Sequence, residues 1–224
     1  MNKTFKLSTI FIIFSFILSS CIGNKKQNNF ILKEGDLLFQ NTGNGEIDNA
    51  IKDVTATPSS KNYSHVGMAI RKDRQWFILE SISKKGVSLT PLKEFLNRNK
   101  NKFNKSQTTV ARLESYYQPY ISKAIEYGIQ RINKPYDDIF LWDDDSYYCS
   151  ELLYKMFSTI DLPKDSIPFL THPMTFNNNL GEPMASWVSY YRKRNHKIPE
   201  GVEGTNPNLM ASSPHIKFVF DYEN

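Results

Sequence analysis

Three separate stretches of the chain carry the residue types of a thiol hydrolase. Cys149 stands in the run YYCSELL, residues 147–153, at the predicted start of a helix. His65 lies in the strand-like run SHVGM, residues 64–68, and Glu80 ends a second strand-like run. Thiol hydrolases combine a thiol nucleophile, an imidazole base and a carboxylate that orients the imidazole. The three residues are therefore candidate catalytic groups, provided that the fold brings them together.

The Cys149 helix has a pattern that suits a nucleophile. Leu152, Leu153 and Met156 follow Cys149 at +3, +4 and +7, so the thiol lies on the buried face of the helix. In the first turn, the positive end of the helix dipole favours the thiolate, and free backbone N–H groups can donate to an oxyanion. A buried cysteine can equally be an inert core residue. The catalytic interpretation therefore depends on the combination with His65 and Glu80.

The two strand-like runs form a predicted hairpin that pairs His65 with Glu80. If Ile70 pairs with Gln75 across a four-residue loop, residues 71–74, then His65 lies directly opposite Glu80. Directly opposed Cβ atoms are about 4.5–5.5 Å apart, which lets a carboxylate hold an imidazole. Gly67, on the same face as His65, leaves room for another group to approach. We expect the three side chains to face one sheet–helix interface.

The remaining periodicity indicates an α+β fold with an antiparallel sheet. The order of elements does not fit a regular βαβ series. Further strands are predicted at 36–40, 86–89, 108–113 and 215–222, and helices at 45–54, from Pro91, from Pro119, from Cys149 to about Ile160, and around 184–191.

The first twenty residues resemble a bacterial lipoprotein signal. Lys3 and Lys6 precede a twelve-residue apolar run, residues 7–18, and two serines then precede Cys21. In such signals the cysteine is acylated after cleavage; the alternative is an ordinary signal peptide with a chance cysteine. We predict a signal peptide at 1–20, a polar tether at 21–29 and a single domain at 30–224. The expected location is the bacterial cell envelope, outside the cytoplasm, with a lipid anchor at Cys21.

Acylation of Cys21 would leave Cys149 without an intrachain disulfide partner, because the chain has two cysteines. A lone thiol in an exported protein favours a reactive role. The formal net charge is +5, to which the predicted signal contributes two lysines, and no basic block resembles a nucleic-acid footprint. Neither His172, His196 and His215 nor the run 143–145 has the spacing of a metal site. We expect no cofactor, no metal and no nucleic-acid partner.

Taken together, residues 35–39, 64–68, Glu80 and 148–152 resemble the circularly permuted papain-like hydrolases of the NlpC superfamily, most closely the YiiX/YebB-like group, many of which are lipoproteins. The resemblance covers roughly residues 31–160, and the histidine strand precedes the cysteine helix. It implies a permuted papain-like fold, with an antiparallel sheet or half-barrel packed against the nucleophile helix. It also implies that Cys149 is the nucleophile, His65 the base and Glu80 the residue that orients the imidazole.

The activity implied by this resemblance is hydrolysis of an amide through a thioester. A cell-wall peptide or related isopeptide is the expected substrate. The backbone N–H of Cys149 would stabilise the oxyanion together with Tyr136, Tyr147 or Tyr148. Two alternatives stay open. One is a lipid acyl hydrolase or acyltransferase of the lecithin–retinol acyltransferase type, which suits the aromatic content and the membrane anchor. The other is a non-catalytic lipoprotein that binds peptides or lipids.

Overall fold

A six-stranded antiparallel sheet forms the centre of the protein. The computed structural model describes residues 30–42, 61–163 and 166–223. The strands of the large sheet are β1 (Leu37–Gln40), β2 (His65–Lys72), β3 (Gln75–Ile82), β4 (Gly86–Pro91), β5 (Thr108–Leu113) and β8 (Ile216–Asp221), and β6 (His172–Pro173) pairs with β7 (Glu203–Gly204) in a second, two-stranded sheet. The order across the large sheet is β4-β3-β2-β1-β5-β8, and every neighbouring pair is antiparallel. The prediction of an α+β fold with an antiparallel sheet is confirmed.

Helices cover both faces of this sheet. They are α1 (Leu92–Arg98), α2 (Ile121–Ile129), α3 (Cys149–Ser158), α4 (Ala185–Lys193) and α5 (Pro207–Ala211), and a 3₁₀ helix (Ser115–Tyr120) precedes α2. Strand alternation divides the buried residues into two cores. Leu37 and Met68 pack towards α2 and α3 in the larger core, whereas Leu38 and Ala69 pack towards α1 in the smaller one. The central strand β1 is therefore buried on both faces.

The hairpin between β2 and β3 is tighter than predicted. Lys72 pairs with Gln75, so the loop contains only Asp73 and Arg74. Both have positive φ angles, 49° and 64°, as a type I′ turn requires. The predicted four-residue loop and register were wrong, because Ile70 pairs with Phe77. The error is two residues, which preserves the face of each side chain, so Glu80 still shares a face with His65.

Other sequence predictions differ in how well they match the structure. The strand at 108–113 is confirmed, and the other predicted strands agree within two residues. The helix predicted from Pro119 begins as an α-helix only at Ile121, because a 3₁₀ helix occupies the preceding residues. The short elements β6, β7 and α5 were not predicted. The predicted signal peptide, tether, Cys21 and the helix at 45–54 lie outside the described residues. Within the described ranges, no helix has the length and apolar character needed to cross a membrane.

Gly67→Ala should destabilise the fold. A Cβ atom at this position would lie 2.4 Å from Ile78 Cγ2 and 3.2 Å from Glu80 Cβ. Overpacking of this kind costs about 1–3 kcal/mol in the free energy of unfolding, which urea denaturation measures. In an Ile78→Ala background the obstructing methyl group is absent, so the same substitution should cost clearly less. Equal losses in both backgrounds would contradict the steric explanation.

Candidate active site

His65 and Glu80 form a direct contact across the β2–β3 hairpin. His65 Nε2 lies 2.5 Å from Glu80 Oε2. Continuing the observed register places Gly67, not His65, opposite Glu80. The glutamate therefore reaches the ring diagonally, over the position where Gly67 has no side chain. The space that the sequence predicted beside Gly67 is occupied by Glu80.

The Glu80 carboxylate is buried and its oxygens accept four hydrogen bonds. Oε1 accepts from Thr90 Oγ1 at 2.5 Å and from Arg98 Nη2 at 2.6 Å. Oε2 accepts from Arg98 Nη1 at 2.9 Å, in addition to its contact with His65. Burial raises the pKa of Glu80, but the hydrogen bonds and charges of Arg98 and His65 outweigh it and lower the pKa to about 2. Glu80 is therefore a permanent negative charge beside the imidazole.

The thiol of Cys149 meets the same imidazole at the end of the sheet. Cys149 is buried at the start of α3, in the larger core, whereas Glu80 shares the face of α1. The expected single sheet–helix interface was therefore wrong. His65 is the first residue of β2, and it lies near enough to Cys149 for hydrogen bonding and charge interactions with the thiol to raise the pKa of the imidazole. Since Glu80 holds Nε2, the nitrogen left for the thiol is Nδ1.

The charge state of His65 follows from these two neighbours. Burial lowers the pKa of His65, but hydrogen bonds and charge interactions with Cys149 and Glu80 outweigh it and raise the pKa to about 9. The imidazole therefore carries two protons at neutral pH, one directed to the carboxylate and one to the sulfur. A doubly protonated imidazole can stabilise negative charge on a neighbouring sulfur.

Three polar contacts hold the start of α3 in place. Ser81 Oγ donates to the carbonyl oxygen of Tyr147 at 2.5 Å, and the Tyr148 N–H donates to Glu151 Oε2 at 3.2 Å. Lys155 Nζ lies 3.0 Å from Glu151 Oε1. Burial raises the pKa of Glu151 to about 8, although Lys155 opposes the shift. These contacts hold the residues just before Cys149 and thereby set the direction of its thiol.

A cavity opens beside the thiol. Its wall is mainly aromatic and apolar, and Cys149 and Ser150 contribute to its floor. The large apolar side chains of the wall are Tyr136, Phe140, Tyr148, Met174, Phe176 and Trp187. Half of these come from residues after 165: Trp187 lies in the helix predicted around 184–191, whereas Met174 and Phe176 lie outside any predicted element. Packing of α4 against the loop 136–148 brings them to the thiol.

The three candidate oxyanion tyrosines are not equivalent. Tyr136 lines the cavity with Cys149 and is held by two backbone bonds of its neighbours, Asp137 N–H to Tyr147 O at 3.2 Å and Tyr147 N–H to Pro135 O at 3.1 Å. Burial and the charge of Cys149 raise the pKa of Tyr136 well above its usual value, so its hydroxyl keeps its proton. The Tyr148 hydroxyl accepts from the Thr205 N–H at 3.1 Å and also lines the cavity.

Tyr147 is placed differently from the other two. Its hydroxyl donates to Asp144 Oδ1 at 3.3 Å, and its ring belongs to the larger core rather than to the cavity wall. The structure thus brings Cys149, His65, Glu80, Tyr136 and Tyr148 together and separates the Tyr147 hydroxyl from them.

Sequence reasoning missed Arg98 and Thr90, the two residues that hold Glu80. Thr90 was predicted only as the start of a helix, whereas the structure places it in β4, and Arg98 is the last residue of α1. Each residue therefore has an ordinary local explanation. Only the register and the packing of α1 show that both side chains converge on one carboxylate. A single sequence contains no signal that distinguishes Arg98 from a surface arginine.

The histidine strand precedes the cysteine helix, which is the order of elements in a permuted papain-like protein. The chain belongs to the permuted papain-like amidase family, YaeF/YiiX, C92, whose family model matches residues 31–220. The predicted resemblance to the YiiX-like group is confirmed, and family membership supports a hydrolase or amidase.

Two YiiX proteins of Escherichia coli are similar to this chain. The uncharacterized protein YiiX of strain K12 is 30% identical over 124 residues, which are 55% of this chain and 56% of YiiX, so the alignment spans about half of that relative. The crystal structure of YiiX from E. coli O157:H7, described as a metalloprotein, matches with a TM-score of 0.66. At 24% identity, that match covers 84% of this chain and 97% of the other, and it shows a shared fold.

Arg98→Ala should lower the free energy of unfolding by about 3 kcal/mol, because it leaves a buried carboxylate without its bidentate partner. Urea denaturation at neutral pH measures the loss. Arg71→Ala is the matched control, since Arg71 is exposed and its guanidinium lies 5.7 Å from the Trp76 ring. We expect less than about 1 kcal/mol there. Similar losses for the two variants would show that Glu80 does not depend on Arg98.

NMR should show the His65 ring titrating near pH 9. Its signal is assigned by its absence from the spectrum of His65→Ala. Because the pKa in the folded protein exceeds the ordinary value of about 6.5, the stabilisation is complete below pH 6.5 and is lost as the pH rises through 9. Glu80→Gln removes a negative neighbour and should move the titration to lower pH. An unchanged midpoint in Glu80→Gln would contradict the coupling.

Proposed function

We propose that this protein is a cysteine amidase in which Cys149 is the nucleophile, His65 the acid–base group and Glu80 the residue that orients the imidazole. One observation carries the proposal. The His65 ring connects a buried carboxylate to a thiol that stands at a helix start and at the edge of a cavity. Membership of an amidase family supports the reaction type.

The proposed reaction begins with a thiolate–imidazolium pair. The Cys149 sulfur attacks the carbonyl carbon of the amide, and the electron pair of the C=O bond moves to the oxygen. The backbone N–H of Cys149 and the Tyr136 hydroxyl are the proposed donors to this oxyanion. When the tetrahedral intermediate collapses, His65 transfers its Nδ1 proton to the leaving nitrogen, and the C–N bond breaks. An amine leaves and a thioester remains on Cys149.

Water completes the proposed cycle. Neutral His65 accepts a proton from a water molecule, whose oxygen attacks the thioester carbonyl. The carboxylic acid product leaves, and the sulfur departs as thiolate beside a protonated imidazole. Glu80 keeps the ring in one orientation through both steps and stabilises its positive charge. It does not exchange a proton, because its pKa of about 2 keeps it ionised.

We propose a peptide or isopeptide bond of the cell wall as the substrate, together with the lipid anchor at Cys21 and a location in the cell envelope. The support is the family and the signal-like N-terminal sequence. YiiX from E. coli O157:H7 is described as a metalloprotein. In the described part of this chain, no three His, Cys, Asp or Glu side chains are grouped to hold a metal ion, so the proposed steps use none.

One observation favours a second candidate, cleavage or transfer of a lipid acyl group. The wall of the cavity beside Cys149 is largely aromatic, and such a surface suits an acyl chain. The same nucleophile and base would then act on an ester or on a fatty amide.

Digestion of purified cell-wall fragments should release new amine termini with the wild-type chain and none with Cys149→Ala. His65→Ala should lower the rate about 10²–10⁴-fold, and Glu80→Gln should lower it less. In parallel, a lipid ester is offered, and the acyl group recovered on Cys149 is identified by mass spectrometry. Recovery of a lipid acyl group on Cys149, with the cell-wall fragments left undigested, would favour the second candidate. Turnover that survives Cys149→Ala would end both, and failure of iodoacetamide to label Cys149 at neutral pH would favour a binding protein.

Tyr136→Phe should reduce kcat about 100-fold with a much smaller effect on KM, because an oxyanion donor acts in the transition state. Tyr147→Phe is the matched control, since its hydroxyl donates to Asp144. We expect kcat of Tyr147→Phe to stay near that of the wild type. An equal loss in the two variants would assign Tyr136 a structural role only.

A further inference from the structure

The loop between α1 and β5 presents lysines around an exposed aromatic ring. Lys100, Lys102 and Lys105 are all exposed, and Phe103 between them retains 70% of its accessible surface. The sequence has no acidic residue from 95 to 113. We call residues 99–106 the basic loop. It is a surface where a large apolar side chain and three positive charges reach water together.

The shape of the basic loop is fixed by one side chain. Asn101 Oδ1 accepts from the backbone N–H groups of Phe103, at 2.9 Å, and Lys105, at 3.1 Å. The Asn101 N–H also donates to the Lys105 carbonyl oxygen at 2.9 Å. Because these bonds close the loop beneath its tip, Phe103 is held outward. Lys102 Nζ lies 5.1 Å from the centre of its ring.

Few acidic groups are close enough to neutralise the basic loop. Glu223 lies beside it and accepts from Asn101 Nδ2 at 3.5 Å, but its other carboxylate oxygen accepts from Lys61 Nζ at 3.2 Å. Within the described ranges, none of the three loop lysines forms an ion pair with an acidic side chain. The positive charge of the loop is therefore available to an external partner.

The basic loop lies on the face of the sheet where the described chain begins. Phe30 stacks on Phe220 with ring centres 4.3 Å apart, and Phe220 contacts Tyr222 at 4.9 Å. The next residue, Glu223, is the one that Asn101 contacts. An acylated Cys21 would lie nine residue steps before Phe30, a reach of at most about 30 Å. An anchor there would keep this face close to a bilayer.

We propose that the basic loop docks on an anionic phospholipid bilayer. The lysines contact lipid phosphates, and the Phe103 ring enters the headgroup region. A bilayer fits better than a protein groove, because one projecting ring surrounded by flexible cations does not form the continuous apolar patch of a protein interface. The predicted lipid anchor bears only on the orientation of the docked protein. The docking proposal does not depend on the proposed catalytic function.

The test uses the chain from residue 21 onwards with Cys21→Ser, so that no acyl group contributes. Co-sedimentation compares vesicles of phosphatidylcholine alone with vesicles of equal parts phosphatidylcholine and phosphatidylglycerol. We expect binding only to the second kind, weakened by added salt. Replacing Lys100, Lys102 and Lys105 together by Gln should weaken binding about 100-fold, since each lysine near an anionic surface contributes roughly fivefold. Phe103→Ser should weaken it several-fold.

A matched variant removes three other exposed lysines, Lys72, Lys123 and Lys197, by the same change to Gln. It has the same net charge as the loop variant and should bind vesicles nearly as well as the unaltered loop. All variants should show similar unfolding midpoints in urea. Three results would overturn the proposal: equal binding to both kinds of vesicle, equal losses in the two lysine variants, or tighter binding to single-stranded DNA than to the anionic vesicles at the same salt concentration.

Discussion

A carboxylate without solvent contact is the constraint on which the rest of the site depends. Burying the charge of Glu80 is costly, and the fold offsets this cost with four hydrogen bonds, two of them from Arg98. To collect these donors, β2, β3, β4 and α1 must all be in register. The imidazole of His65 is thus positioned by an ion pair that is also part of the core. The position of the His65 ring and the stability of the fold therefore cannot be varied independently at this site.

The surroundings of the thiol determine what its neighbours can do. Burial alone would favour a neutral imidazole at His65, but hydrogen bonds and charge interactions with Cys149 and Glu80 outweigh that effect. The same burial keeps the Tyr136 hydroxyl protonated. Burial therefore opposes charge on both groups, and only at the ring do neighbouring groups outweigh it. A protonated imidazole and a neutral phenol thus lie near one sulfur.

Local patterns revealed the reactive residues but not their mutual distances. Alternation placed His65 and Glu80 on one face, and helical periodicity placed Cys149 at a buried helix start, because both depend on neighbouring residues. The register depended on whether the turn held two or four residues. A positive φ angle is common enough for an aspartate such as Asp73, but it is not typical of an arginine such as Arg74. Arg98 and the cavity wall after residue 165 depended on long-range packing, which one sequence does not encode in any local pattern.

The C-terminal end of helix α1 separates a residue that supports the candidate site from a surface loop. Its last residue, Arg98, contacts the carboxylate, and the basic loop begins at the next position. Beyond that boundary the chain is surface loop until Ser106, and its hydrogen bonds are mostly internal. Insertions or exchanges within the basic loop would therefore leave the ion pair between Arg98 and Glu80 intact. An insertion or deletion of one residue within α1 would break that pair.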